Sequence, residues 1–480
     1  MYFRANQSRV QWARISVLEW PFDHVTVHKL VLAMNKRSFI KLFSGMATAP
    51  VVSPLLRLLP DSKLRNWAGN LEYSTETMYT ANSPEQARDF VRKQVKLKVL
   101  GTRHCFNNIA DSTTQFLSLK LADELLSVNA EGRTVTIDGS MTYGHLCPLL
   151  HEKGFALHNL ASLPHISIAG SCGTATHGSG DKNGNLSTAV SALELITASG
   201  DIVQLSRQKD GEKFSGAVVG LGALGVITKV TLDIQPAYMM RQYVYLNMPL
   251  DQVKDHFEAI ESSAYSVSLF TDWRNKNVNE VWIKSRLEEG QAFTPAPEFF
   301  GAKVATRNVH PIAALSADNC TEQMGVPGPW YERLPHFRMG FTPSAGKELQ
   351  SEYFVPRHHA VEAILAVERL HEQVSPHLLI TEIRTIAADN LWMSPCYHEP
   401  CVTIHFTWKQ DWPAVRKLLP VVEKELAPFH ARPHWGKLFT IPPAELKSIY
   451  KKMPEFIELC KTYDPNGKFR NEFLNLNIFG

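Results

Sequence analysis

A chain of 480 residues is too long for one ordinary hydrophobic core, so two domains are expected, and 44% hydrophobic with 20% charged residues is a globular composition. The 50 basic and 47 acidic side chains leave a net charge of +3, which argues against nucleic acid or an anionic membrane as the main partner and suits a small neutral substrate. Seven cysteines, at 105, 147, 172, 320, 396, 401 and 460, form no C-x-x-C pair and no zinc spacing, so neither a metal site nor a disulfide framework is expected.

At the amino end, Asn35 to Lys41 reads N-K-R-S-F-I-K, and an uncharged run follows from Leu42 to Leu56. This resembles a Tat export signal, with Lys36 where the pattern has its first arginine, Phe39 and Lys41 matching, and Ala47-Thr48-Ala49 as a small-residue cleavage site. A leader beginning near Met34 implies the Tat machinery as a partner and a periplasmic or extracellular location. The alternative is a solvent-exposed helix in a retained extension, residues 1–65, of a cytoplasmic protein. No stretch has the length and apolarity of a transmembrane helix, which leaves only peripheral membrane contact.

A strand-like segment follows Asn66-Trp67-Ala68-Gly69-Asn70, and Ser83 to Val95 reads as an amphipathic helix with Ser83 as N-cap and Glu85 in its first turn. Leu97, Val99 and Leu100 then form a short apolar strand, which turns at Gly101 into T-R-H-C-F-N-N. Small and polar residues there leave backbone N–H groups free, as a pyrophosphate requires, and Arg103 adds a cation. His104 projects an imidazole where no core neighbour calls for one. Val128 to Ile137 reads as a hairpin around Glu131-Gly132, and Gly144 to Gly154 as a short helix. No G-x-G-x-x-G follows a first strand, which excludes a Rossmann domain.

A second cluster, Leu160 to Gly180, contains five small residues from Gly170 to Thr174, then His177 and Gly178. Ser191 to Leu205 alternates through a Ser199-Gly200-Asp201 turn, and Gly220 to Leu232, G-L-G-A-L-G-V-I-T-K-V-T-L, allows close approach of backbone to a ligand. Composition shifts past Pro236 to aromatic and β-branched strands, a Pro-rich stretch at Pro295 to Pro297 and a helix from Ala360 to Gln373. In I-T-E-I-R, Glu382 and Arg384 lie two apart on a strand and share a face, as do His405 and Thr407 within C-V-T-I-H-F-T-W. A carboxylate beside a guanidinium can hold several hydroxyl groups, although spacing alone equally fits an exposed face with a salt bridge.

Together these segments resemble the vanillyl-alcohol-oxidase-type flavoproteins. E-I-R, H-F-T and the later H-W-G-K (His434 to Lys437) occur in that order in their alditol oxidase members, and Cys320-Thr321-Glu322-Gln323 before G-V-P-G-P-W also matches. Asp464-Pro465-Asn466-Gly467-Lys468-Phe469 resembles the closing motif of the aldonolactone oxidases. The resemblance implies an α+β, two-domain PCMH-type fold. An FAD-binding domain would span 66–236. A substrate domain at 237–480, like that of D-arabinono-1,4-lactone oxidase, would be built on an antiparallel sheet flanked by helices, its tail returning to the flavin.

It further implies FAD bonded covalently to His104. The flavin would be held by Val99, Leu100, Gly101, Thr102, Arg103 and Cys105 of the first segment and by Ser162, Ser167, Gly170, Thr174, Ala175, Thr176 and His177 of the second. Val226, from the Gly225-Val226 pair, and His434 complete the set. A polyol would be bound by Ser162, Gln323, Glu382, Arg384, His405, Thr407 and Lys437, with Arg384 and Lys437 also stabilising charge during oxidation and oxygen accepting the electrons. Ala161 falls where residue size governs oxygen access, and neither Cys105, in place of the usual serine, nor Cys172 is expected to be a second covalent link. The rival within the family is an aldonolactone oxidase or dehydrogenase.

Overall fold

The computed structural model describes residues 63–121, 125–287, 295–341 and 347–480. The Asn35–Lys41 motif lies outside them. The first helix among the described residues, α1 (Pro84–Lys93), begins where expected: the Ser83 side chain accepts from Gln86 N, and Ala87 and Val91 are buried on one face. It connects β1 (Met78–Ala81) to β2 (Lys98–Val99), and both strands run parallel to β3 (Phe116–Leu119) between them. The apolar strand read over Leu97 to Leu100 is thus only two residues long. Its ends are still fixed, because Leu97 N donates to Lys468 O and Leu100 N to Leu117 O.

Both expected hairpins are present, β4 (Leu125–Asn129) with β5 (Thr134–Asp138), and β6 (Val190–Ile196) with β7 (Ile202–Ser206). Gly200 makes the second turn at φ 85°, where a side chain would be strained. With β8 (Val226–Asp233) they form a five-stranded antiparallel sheet in the order β4-β5-β8-β6-β7, and α2 (Tyr143–Glu152) follows the first hairpin.

After Pro236 the chain builds a ten-stranded sheet. Its long members are β9 (Met239–Pro249), β10 (Ser266–Thr271), β11 (Asn277–Arg286), β12 (Glu348–Pro356), β13 (Leu378–Ile386) and β14 (Cys401–Lys409). They pair antiparallel in the order β9-β11-β10-β13-β14-β12. Helices α3 (Ala360–Glu368) and α4 (Trp412–Leu426) pack on β12. The helix expected to reach Gln373 stops at Glu368: Leu370 N bonds Val367 O, a tightened last turn, before a separate turn at His371–Val374.

Register positions the site. Glu352 of β12 lies opposite His405 of β14, and His405 lies opposite Glu382 of β13, so three polar side chains form a row across three adjacent strands. The carboxyl-terminal segment crosses back to residues 91–111. Lys468 Nζ donates to Val91 O and Ala198 O at 2.7 and 2.6 Å, and Asn471 Nδ2 to the carbonyls of Asn108, Ile109 and Asp111.

Candidate active site

One cavity runs from the Gly101 loop to the sheet row. Its first wall is Lys98 to Phe106. Arg103 sits at φ 61°, and among the described residues the amides of Gly101, Thr102, Arg103 and His104 donate to no backbone carbonyl. Successive free N–H groups around a left-handed residue make an anion-binding concavity. His104 is not isolated, as its sequence suggested. Its ring stacks on Trp67 with centroids 4.4 Å apart, and its Nε2 lies 2.6 Å from His165 Nε2, so one proton serves the pair. Burial, then the neighbouring His165 and Lys437, pulls the His104 pKa down to about 3 and keeps the imidazole neutral.

The second wall carries Ser162, Ser167, Gly170, Thr174, Thr176 and His177. Two residues assigned to the flavin lie behind it: Ala175 and Val226 are buried off the cavity surface, and Gly225 and Ile227 line it beside Val226. Cys105 lines the cavity with its thiol pushed up to about 11 by burial; Cys172 does not line it and is raised to about 12 for the same reason. Neither is a thiolate. Gly178 has no room for a side chain, because a Cβ would sit 2.4 Å from Leu160 O. Gly178→Ala should therefore lower stability by about 1–3 kcal/mol, read as a shifted urea midpoint. Its carbonyl also accepts from His177 Nδ1 at 2.8 Å, so flavin retention should fall as well.

At the far end a fully buried carboxylate gathers the cations. Glu352 accepts from Lys437 Nζ at 2.7 Å and from Arg384 Nη2 at 2.9 Å, with His177 Nε2 at 3.1 Å. Burial pushes its pKa up, yet Lys437, His177, His405 and Arg384 outweigh burial and hold it well below the carboxylate range. Lys437 is lowered, chiefly by burial, and His405 falls to about 3 through burial and Lys437. Asn107 Nδ2 donates to the carbonyls of Trp435 and Lys437 at 2.9 and 2.7 Å, and Phe106 N to Gly436 O, so the His104 loop and the H-W-G-K loop are one rigid unit.

Family models match at residues 80–206 (FAD binding domain) and 343–477 (D-arabinono-1,4-lactone oxidase). An alditol oxidase of Streptomyces sp. (strain IKD472 / FERM P-14339) is 44% identical over 414 residues, 85% of this chain and 97% of the relative. The chain belongs to the alditol oxidase family.

Other relatives of the family member are more distant. L-gulonolactone oxidase of Mus musculus is 26% identical over 86% of this chain and 97% of its own, and L-gulono-1,4-lactone dehydrogenase of Mycobacterium tuberculosis is 24% identical over 85% and 97%. A solvent-stable cholesterol oxidase shares the fold at TM-score 0.69 and 14% identity, covering 87% of this chain and 97% of that one. The chain is an FAD-dependent oxidoreductase of two-domain α+β fold. The residues fit FAD: free amides and Arg103 at one wall would hold a diphosphate, and glycines 170, 173, 220, 222 and 225 leave a wall of backbone against which a flat ring system would fit.

The expected substrate residues divide between the cavity lining and the layer behind it. Gln323 is off the cavity with both amide atoms committed, its Oε1 accepting from Val309 N at 3.0 Å and its Nε2 donating to Val309 O at 2.8 Å. Gln350 of β12, opposite Thr407, lines the cavity in its place. Ser162, Arg384, His405, His434 and Lys437 line it too. Glu382 and Thr407 stand just behind, Glu382 with Oε1 3.4 Å from Arg384 Nε and Thr407 with Oγ1 3.5 Å from His405 Nε2. Sequence reasoning missed Glu352 and Gln350. Their signal was present in E-L-Q-S-E-Y-F-V, where Glu348, Gln350 and Glu352 alternate on one face of a strand.

Proposed function

We propose that this protein oxidises the terminal hydroxyl of a sugar alcohol such as xylitol or sorbitol to the aldehyde and passes the electrons to oxygen as hydrogen peroxide. One observation carries the reading: Arg384 and Lys437, both held on Glu352, line the same cavity as His104. Bound FAD supplies the hydride acceptor, its N5. The chain's own residues supply the rest. Lys437 and Arg384 stabilise negative charge growing on the reacting hydroxyl. With Lys437 held as an ammonium on Glu352, a water beside it receives the hydroxyl proton. Gln350, Ser162 and His405 line the space for the remaining hydroxyls. Ala161 lines the cavity beside Ser162 and leaves room for oxygen.

We also propose the covalent bond between His104 and the flavin. A neutral, stacked imidazole at the cavity wall is a competent nucleophile. Yellow colour should remain with protein precipitated by acid and disappear from the pellet of His104→Ala; colour released from the native protein would contradict the bond.

A lactone substrate is the second reading, because the D-arabinono-1,4-lactone oxidase match covers Glu352, Arg384 and Lys437. Product analysis separates the two. Turnover of xylitol in air should yield aldehyde and peroxide in equal amounts, and a protein that forms neither from xylitol but oxidises L-gulono-1,4-lactone would support the second.

A further inference from the structure

We propose that Lys284 and His336 are positioning residues that act through Glu382 to hold the Arg384 guanidinium in the cavity wall; this rests on the reading of Arg384 as a substrate-binding group. Lys284, on β11, is fully buried away from the cavity, and the chemistry above gives it no role. Its ammonium donates to Leu334 O at 2.6 Å and Pro335 O at 3.0 Å, and its third proton meets His336 Nδ1 at 3.3 Å. An ammonium has no acceptor, so His336 Nδ1 must carry the lone pair. The ring proton is thereby placed on Nε2, which donates to Glu382 Oε1 at 2.7 Å.

The ring is held in that orientation by the edges and faces of Phe270 and Trp282, at 5.4 and 5.1 Å. The same Glu382 Oε1 lies 3.4 Å from Arg384 Nε, while Arg384 Nη2 reaches Glu352. The guanidinium is therefore hydrogen-bonded to one carboxylate and ion-paired with the other, and a tautomer sets the position of the second. The loop that Lys284 grips also reaches the pocket directly, since Phe337 N donates to Ser162 O at 3.3 Å. A buried charge in an otherwise apolar setting is costly, and burial brings the Lys284 pKa down to about 7; fixing the loop and the tautomer is what this lysine does in return.

The test compares His336→Leu with His336→Gln in the flavin-loaded enzyme, using whichever substrate bleaches the flavin. Losing the donor to Glu382 should lower kcat/KM about tenfold or more, the glutamine amide should restore most of it, and flavin content should be unchanged. Equal kcat/KM in wild type and His336→Leu, alongside an impaired Arg384→Lys, would overturn the relay alone. Full activity in Arg384→Lys would instead overturn the reading of Arg384. Nitrogen-15 shifts of His336 in the unmutated holoenzyme provide a check independent of variant folding: protonated Nε2 and bare Nδ1 support the relay, and the reverse pattern sinks it.

Discussion

Glu352→Gln should nearly abolish reduction of the flavin by substrate and also weaken the fold. The carboxylate is fully buried and is the shared partner of Lys437 and Arg384, so neutralising it leaves Lys437 without its counter-charge and Arg384 with Glu382 alone. Breaking a buried pair from one side costs about 3–5 kcal/mol, because the remaining charge keeps its desolvation penalty. Here the loss also frees both groups that are to meet the reacting hydroxyl, and turnover should fall by about 10² or more. The pH dependence has a definite sign. The folded pKa of Glu352 is depressed, so its contribution is complete above the ordinary carboxylate value near 4.3 and is lost as pH falls through the folded value. The wild-type unfolding midpoint should therefore fall on acidification below about pH 4 more steeply than that of Glu352→Gln. Parallel acid profiles would remove Glu352 from this role.

Lys437→Met is the second large effect. The methionine keeps the length and apolar stem but removes the ammonium that Glu352 and His405 locate at 2.7 and 3.4 Å. Because the backbone of Trp435 to Lys437 stays bonded to Asn107 and Phe106, the loop and the flavin wall should persist. Loss of one donor aimed at developing negative charge costs about 10²–10³ in kcat. The expected variant is thus yellow, folded and slow. A kcat within a few-fold of wild type would show that Lys437 does not stabilise the reacting oxygen.

The parts of the molecule legible in sequence were those written locally. Ser83 caps its helix, Gly200 makes its turn, and the two-residue spacing of Glu382 and Arg384 places them on one face of β13. What sequence could not supply was partners brought together by long-range register. Glu352 acquires its meaning only when β12 pairs with β14 and sets it beside His405, while Lys437 arrives on a loop tied to Asn107. His165 and Trp67 around His104 are of the same kind, at 61 and 37 residues' remove along the chain. Gln323, expected at the polyol, shows the same dependence on long-range partners. A motif match locates an amide in the chain but not its hydrogen bonds, and here Val309 takes both of them.

The most direct test of the central claim is anaerobic mixing of the flavin-loaded protein with xylitol, sorbitol and L-gulono-1,4-lactone in turn, followed by admission of oxygen. The account predicts rapid bleaching by the two polyols and peroxide on reoxidation. Bleaching by the lactone alone would contradict it and place the protein's chemistry with the lactone-oxidising relatives.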